Sequence, residues 1–375
     1  SERMTTAIRV GVIGCGGIAQ IMHLPHLTET PPFQLTALVD TDPAVLAAVG
    51  DRYNISARYT SWADMLAEAP VDAVLICHPG SHRDSVIAAL RAGKHVLVEK
   101  PLAWNRREVS EIAAAAAQTD RTVMVGYHKL YDPGFAYARR ELGEIKDLAY
   151  AECTVLHAAD EFNRAPYAIL QGAGRIAQFN YDMPDWEAIQ AGMARGLGGG
   201  PLAELSKEGL GARGDEETLR VAFGLLTISI IHQIYTLFGF LGEPVRVLRT
   251  NIWRGGASIN VLIEYPDDVR AVLNWHNLPY LNDYRETYTF VGNSRRLRFE
   301  MPGPYYRNFP SPVIVQGGEG ELLWEKRITV SYREAFHNEL LAFAQAIRTG
   351  EKPISSVDDA LRHARFIEEI LAAAD

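Results

Sequence analysis

The stretch Arg9-Val10-Gly11-Val12-Ile13-Gly14-Cys15-Gly16-Gly17-Ile18-Ala19 decides how this chain is read. Ile8–Ile13 is β-rich and apolar, glycines interrupt it, and Ile18–Leu27 then carries helical spacing. Strand, glycine turn and helix in that order, with Gly14, Gly16 and Ala19 spaced G-x-G-x-x-A, form a dinucleotide phosphate turn. The first glycine permits the bend, the second lets a pyrophosphate approach the backbone, and the small third residue lets helix pack on strand. The phosphates then face N–H groups at the helix N-terminus. Cys15, Gly17 and Ile18 complete the turn and join the cofactor-binding set. Asp40 ends the second strand in Leu38-Val39-Asp40, where a carboxylate accepts hydrogen bonds from the adenosine ribose. A 2′-phosphate would meet Asp40 and Asp42, and no Arg or Lys follows until Arg52, so NAD is favoured over NADP. The competing reading of Asp40 is a turn or helix N-cap residue.

Outward from this turn, short apolar runs alternate with helical patterns up to about residue 125. Strands are expected at 33–39, 71–77, 95–99 and 123–125, and helices at 43–49, 62–68, 83–92 and 108–118. Continuous apolar strands separated by helices predict an α/β fold with a doubly wound parallel sheet. The later rhythm differs. A helix is expected at 135–142 and a strand at 147–157, followed by loops and short helices over 158–218. An apolar helix from Leu219 precedes closely spaced strand candidates at 245–251, 258–264, 270–275, 284–291, 295–299 and 322–330. Two helices, near 333–348 and 357–373, close the chain. The predicted division is a nucleotide-binding domain over 4–126 and a substrate domain with an open, mostly antiparallel sheet over 127–375, the last helices packing back on the first domain.

Composition bounds the function. At about 150 residues per domain, 375 residues suit two or three domains. A net charge of −9 lacks the footprint of a nucleic-acid binder. Cys15, Cys77 and Cys153 are few, scattered and without a CxxC pair, which points to a reducing cytoplasm and away from disulfide or zinc scaffolds. His23 and His26 flank Pro25 without clear acidic partners, so no metal is expected. Ser1-Glu2-Arg3-Met4 shows no apolar signal core, and Met4 reads as the native start. Val221–Gly242 is long and apolar enough to span a bilayer, but its polar interruptions favour a buried helix.

Two further motifs establish a resemblance. Ala92-Gly93-Lys94-His95-Val96-Leu97-Val98-Glu99-Lys100-Pro101 resembles the AGKHVxxEKP signature of the glucose–fructose oxidoreductase / inositol dehydrogenase / rhizopine-catabolism (Gfo/Idh/MocA) family. Gly126-Tyr127-His128-Lys129-Leu130-Tyr131-Asp132-Pro133 resembles its G-[FY]-N-x-R-F-x-P segment. The likeness is strong over 8–142, patchy over 219–300 and absent over 158–218. It implies a Rossmann domain joined to an open-sheet α/β domain, a tightly held nicotinamide nucleotide, sugar, inositol or polyol substrates, and a homodimer or homotetramer. It also implies that Lys100 touches the reacting hydroxyl and that Pro101 shapes the loop beneath the nicotinamide. His78, Pro79, His82 and Glu99 join the cofactor site on the same grounds.

The chain departs from the family pattern where chemistry is expected. The family's D-x-x-x-H motif finds its histidine at His232, but Ile228 stands one turn earlier in place of Asp, and Tyr235 replaces the usual Asp three residues on. His128 and Lys129 stand at the usual Asn and next basic positions. Lys100 and His232 are therefore the catalytic candidates, with Lys100, His128, Lys129, His232 and Tyr235 contacting substrate. A partly desolvated Lys100 beside a cationic ring would have a lowered pKa and could relay a proton. Ser229, His232 and Thr236 share a helix face, toward either a cavity or a carbonyl-satisfied core. The leading function is hydride transfer between nicotinamide and a ring carbon of a sugar, inositol or polyol. The alternatives are redox-assisted glycoside hydrolysis or elimination, and a non-catalytic nucleotide-binding regulator.

Overall fold

A computed structural model describes residues 6–375, Gly174 by its backbone alone. The expectation placed on Met4 lies outside these residues. The chain divides into two compact units. One takes the chain up to His128 with Arg164–Phe179 and Phe336–Leu361; the other takes Lys129–Asn163, Asn180–Ala335 and Arg362–Asp375.

The first unit is built on six strands: β1 (Ile8–Ile13), β2 (Phe33–Val39), β3 (Ala57–Tyr59), β4 (Ala73–Ile76), β5 (His95–Glu99) and β6 (Val123–Gly126). They lie in the order β3-β2-β1-β4-β5-β6, every pair parallel. Val10, Val12, Val74, Ile76, Val96, Val98 and Val125 are all buried, as strands covered on both faces require. The order reverses between β1 and β4, which opens a crevice beyond their carboxyl ends. The α/β, doubly wound expectation holds. The short strand β3 was not legible; three half-buried residues between two helices carry no periodicity. The helix after β1 runs from Gly17 to Glu29 with a π turn at Ala19–His23. Asp42 caps the next helix, accepting from the N–H groups of Ala44 and Val45, so Asp40 is not its cap.

The second unit carries β7 (Tyr150–His157), β8 (Arg246–Trp253), β9 (Ser258–Glu264), β10 (Arg270–Asn277), β11 (Arg285–Val291), β12 (Arg295–Met301), β13 (Val313–Glu319) and β14 (Leu322–Ile328). Their order is β14-β13-β12-β11-β7-β10-β9-β8, antiparallel except for the β7–β10 pair. Alternate residues of β7, β10 and β11 are buried, so one face packs and the other stays open. On the open face a polar ladder crosses four strands: Asn251 donates to Asn260, Asn260 to Asn274, and Asn274 to Thr154. Strand β13 escaped the sequence reading because Gly317 and Gly318 dilute its short Val313–Val315 run. Over 158–218 the structure has loops and short helices, which the sequence reading did not place individually. Helices Trp186–Gly196 and Gly200–Leu210 each span 11 residues, the first capped by Asp185. Glycine and charge masked their weak amphipathic pattern. The apolar helical run Glu217–Leu241 has 78% of its most apolar window buried, as a core helix does. It is broken by a π turn at Leu226–Ile230.

Candidate functional site

In the first unit, the glycine turn closes against the end of β4. Gly14 has φ +95°, and a Cβ there would lie 2.6 Å from the His78 backbone nitrogen. Only glycine meets both demands. A Cβ on Gly16 would have no heavy atom within 4 Å, so that side of the turn is open. The N–H of Gln20 donates to the Gly16 carbonyl as the first helical bond. By helix geometry the N–H groups of Gly16, Gly17, Ile18 and Ala19 have no intrahelical acceptor. Together these features fit the diphosphate of a dinucleotide: a cradle that a Cβ would fill, beneath donors and the positive helix end.

Asp40 serves the same turn. One carboxylate oxygen accepts from the Cys15 N–H at 2.9 Å, the other from the Asp42 N–H at 2.9 Å. Its orientation is thus set at the end of β2, beside the turn. The Cys15 thiol is buried, and burial with the nearby Asp40 charge pushes its pKa up to about 12, so it is no nucleophile. Burial likewise pushes the Cys77 thiol well above its usual range.

The loop after β5 holds Lys100. Glu99 is buried; one carboxylate oxygen lies 2.6 Å from His23 Nε2, and the other accepts the Lys100 N–H at 3.1 Å. Burial alone would raise the Glu99 pKa, but the His23 bond and charge and the Lys100 charge outweigh it and hold the group low. Lys100 is half-buried, and its bond to Pro101 is cis. His82 is buried, with Nδ1 at 2.5 Å from the Pro101 carbonyl and Nε2 at 2.6 Å from the His78 carbonyl. Burial and His78 pull its pKa down to about 4; the neutral ring donates to one of these two carbonyls, and only the protonated ring would donate to both. His78 is fixed by Ser85 at 2.8 Å, and Pro79 is exposed at the rim. His128 stacks on Phe336, centroids 4.1 Å apart.

The second unit holds the remaining candidates. Tyr235 is buried, and its hydroxyl lies 2.8 Å from His232 Nδ1 while accepting the Lys129 N–H at 3.4 Å. The orienting partner of His232 therefore comes from one turn later, not from the family's Asp one turn earlier. Lys129 is buried, with Nζ 2.5 Å from Glu286. Glu286 also accepts from Tyr284 and Tyr288 at 2.6 Å each. Burial would raise the Glu286 pKa, but the Lys129 charge and these hydrogen bonds hold it below the usual range. The nearest partner of Lys129 is thus a core carboxylate.

The residues singled out from the sequence are shared between the two units. Gly14 through Ala19, Asp40, His78, Pro79, His82, Glu99, Lys100, Pro101 and His128 lie in the first unit; Lys129, His232 and Tyr235 lie in the second. Sequence reasoning missed four participants. Gln20 donates to the Cys15 carbonyl at 2.8 Å, holding the turn. His23 braces Glu99. Glu339 is buried with no hydrogen-bond partner on either carboxyl oxygen, and burial and Glu99 push its pKa well above the usual range. Arg164 lies against Gly17. Only His23, apolar-flanked in the nucleotide helix, carried a sequence signal. Among the described residues no cluster of three or more metal-ligating side chains occurs.

Residues 8–127 match the model of an oxidoreductase family with an NAD-binding Rossmann fold. An inositol 2-dehydrogenase of Saccharopolyspora erythraea is 39% identical over 144 residues, 37% of this chain and 40% of that protein. Such matches span about two fifths of the length of the relatives concerned. A dTDP-3,4-didehydro-2,6-dideoxy-α-D-glucose 3-reductase of Actinomadura kijaniata is 25% identical over 98% of this chain and 96% of its own. A crystal structure of a 3-ketoreductase from the same organism, a lysine-to-alanine variant with TDP-benzene and NADP, covers 98% of both chains with TM-score 0.71 and 21% identity. At that identity the likeness establishes the shared fold.

Proposed function

We propose that this chain, whose residues 8–127 match the glucose–fructose oxidoreductase / inositol dehydrogenase / rhizopine-catabolism family of oxidoreductases, is a nicotinamide-dependent oxidoreductase of that family. Its substrate is a ring carbinol or ring ketone of a sugar, inositol or related polyol, free or nucleotide-linked. The observation that carries this reading is the open Gly16 turn tied to Asp40, on the same sheet edge as the braced Glu99-Lys100-Pro101 loop.

Gly14 through Ala19 hold the diphosphate and Asp40 the ribose diol. When bound, the nicotinamide accepts or donates the hydride. Lys100 takes up the hydroxyl proton on oxidation and returns it on reduction. Glu99, clamped by His23, fixes the backbone from which the Lys100 amine projects. His232, with Nδ1 held by Tyr235, is the second unit's acid–base group, and His128 a substrate contact. Asp40, a fixed negative charge beside the turn, disfavours a 2′-phosphate, so NAD is preferred over NADP. The open polar face of the second sheet supports a homo-oligomer, and three free cysteines suit the cytoplasm.

The test is a screen of inositols, sugars and nucleotide-linked keto-sugars, following NADH and NADPH absorbance in both directions. Turnover with NAD on at least one polyol or keto-sugar, abolished by Lys100→Met, is the expected result. A protein that binds the nucleotide but turns over none would overturn the reading. Cleavage of a glycoside without net NADH would assign redox-assisted elimination instead.

A further inference from the structure

The segment Arg164–Phe179 belongs to the first unit although it is distant in sequence from the rest of it. Its position is fixed by directional bonds. The Gln20 side chain donates to the Leu170 carbonyl at 2.9 Å and accepts the Leu170 N–H at 2.7 Å, a two-way fork that an amide supplies. Arg52 donates to the Ala168 carbonyl at 3.2 Å. A bridge between Leu170 and Ile176 closes the segment on itself. Gly172 approaches the Asp42 carboxylate so closely that a Cβ would stand 3.0 Å from it. The segment therefore runs as a strap from the glycine turn toward the Asp40–Asp42 end of β2.

Arg164 starts this strap. A Cβ on Gly17 would lie 2.6 Å from Arg164 Nη2, 3.2 Å from Cζ and 3.4 Å from Nε, so the guanidinium rests directly on the glycine α-carbon. This places a permanent cation at the N-terminal turn of a helix, beside the positive end of its dipole. Helix ends of that sign favour anions and disfavour cations. A polyanion lying against the turn would meet both the helix-start amides and the guanidinium, whose planar donor fork suits phosphate oxygens.

We propose that Arg164 is a phosphate-binding residue that clasps the diphosphate of the bound dinucleotide from the strap side, opposite the glycine-turn amides. This rests on the dinucleotide-binding reading of the turn. It gives Gly17 a role of its own, since a Cβ there would push the guanidinium from its present position. It also gives the strap a function: it delivers a cation that the Rossmann turn lacks.

The test is equilibrium binding by NADH fluorescence, with displacement by ADP and by adenosine, on the full chain. Arg164→Gln is expected to weaken NADH and ADP binding about ten- to a hundredfold, the range for one charge-assisted contact, and to leave adenosine nearly unchanged. Arg164→Lys, which keeps the charge but not the fork, should fall between the two. It also serves as the informative variant if Arg164→Gln does not fold. Equal binding of NADH by Arg164→Gln and the parent would overturn the inference, as would a loss that is as large for adenosine as for ADP. If the parent itself binds no dinucleotide, the reading of the turn fails rather than the role of Arg164.

Discussion

Replacing Gly16 and Gly14 separately by alanine should split binding from stability. At Gly16 the new methyl meets no heavy atom within 4 Å, and the backbone lies outside the left-handed region. Loss of unfolded-state freedom stabilises, while alanine at a helix start destabilises; each is below about 1 kcal/mol and they oppose one another. Melting of Gly16→Ala should therefore stay within about 2–4 °C of the parent. The methyl nevertheless occupies the side from which phosphates reach the amides. Losing one or two charged hydrogen bonds there, at about 1.5–3 kcal/mol each, weakens NADH binding at least tenfold. Gly14→Ala behaves in the opposite way. Its φ of +95° costs an L-residue about 1–2 kcal/mol, and overlap with the His78 backbone, 2.6 Å away, adds about 1–3 kcal/mol. A fall of at least about 5 °C in Tm is expected. Differential scanning fluorimetry with and without nucleotide, plus fluorescence titration, reads both effects. Parental NADH affinity in Gly16→Ala, or parental Tm in Gly14→Ala, would refute the reasoning.

Lys100→Met should lower kcat by about 10²–10⁴-fold while NADH affinity barely moves, since the side chain acts on the proton and not the nucleotide; equal loss of binding and turnover would show a structural role. Lys129→Met leaves Glu286 charged and buried, at a cost of about 3–5 kcal/mol, and the double change Lys129→Met/Glu286→Leu should recover much of it in a denaturant melt. Because the folded pKa of Glu286 is lowered, the stability this pair adds is present above the unfolded value near 4.5 and is lost as pH falls through the folded one. Glu339 has the opposite sign. Its folded pKa is raised, so the fold loses stability as pH rises above the unfolded value near 4.5, and Glu339→Gln should raise Tm over the parent by a margin that grows as pH climbs from that value toward the raised folded one; a margin independent of pH would reject the buried-acid account. Tyr235→Phe removes the partner of His232 Nδ1 and should shift the alkaline or acid limb of the kcat profile without changing nucleotide binding.

The nucleotide half was legible because its signals are local. A run such as Val10–Ile13 followed by Gly14-Cys15-Gly16 specifies strand, bend and helix within a dozen residues, and the apolar, unalternating β4 and β5 specify burial on both faces. Asp40 was readable for the same reason: it stands a fixed distance along the next strand. The second unit was less so. Its strands alternate cleanly, yet β13 and the helices Trp186–Gly196 and Gly200–Leu210 hide behind glycine and charge, where propensity is weak and tertiary packing supplies the stability.

Side-chain partnership was decided only by the closed fold. Nothing near Lys129 in sequence announces Glu286, nothing near Gly17 announces Arg164, and nothing near Glu99 announces Glu339. His232 was visible as a polar residue in an apolar helix, and Tyr235 follows three residues on in the same regular helix, but only the structure shows its hydroxyl at His232 Nδ1. Periodicity encodes which face of an element is buried. Which charge meets which across that burial depends on how distant segments return to the sheet, and desolvation makes those meetings costly or strong only once water has been excluded.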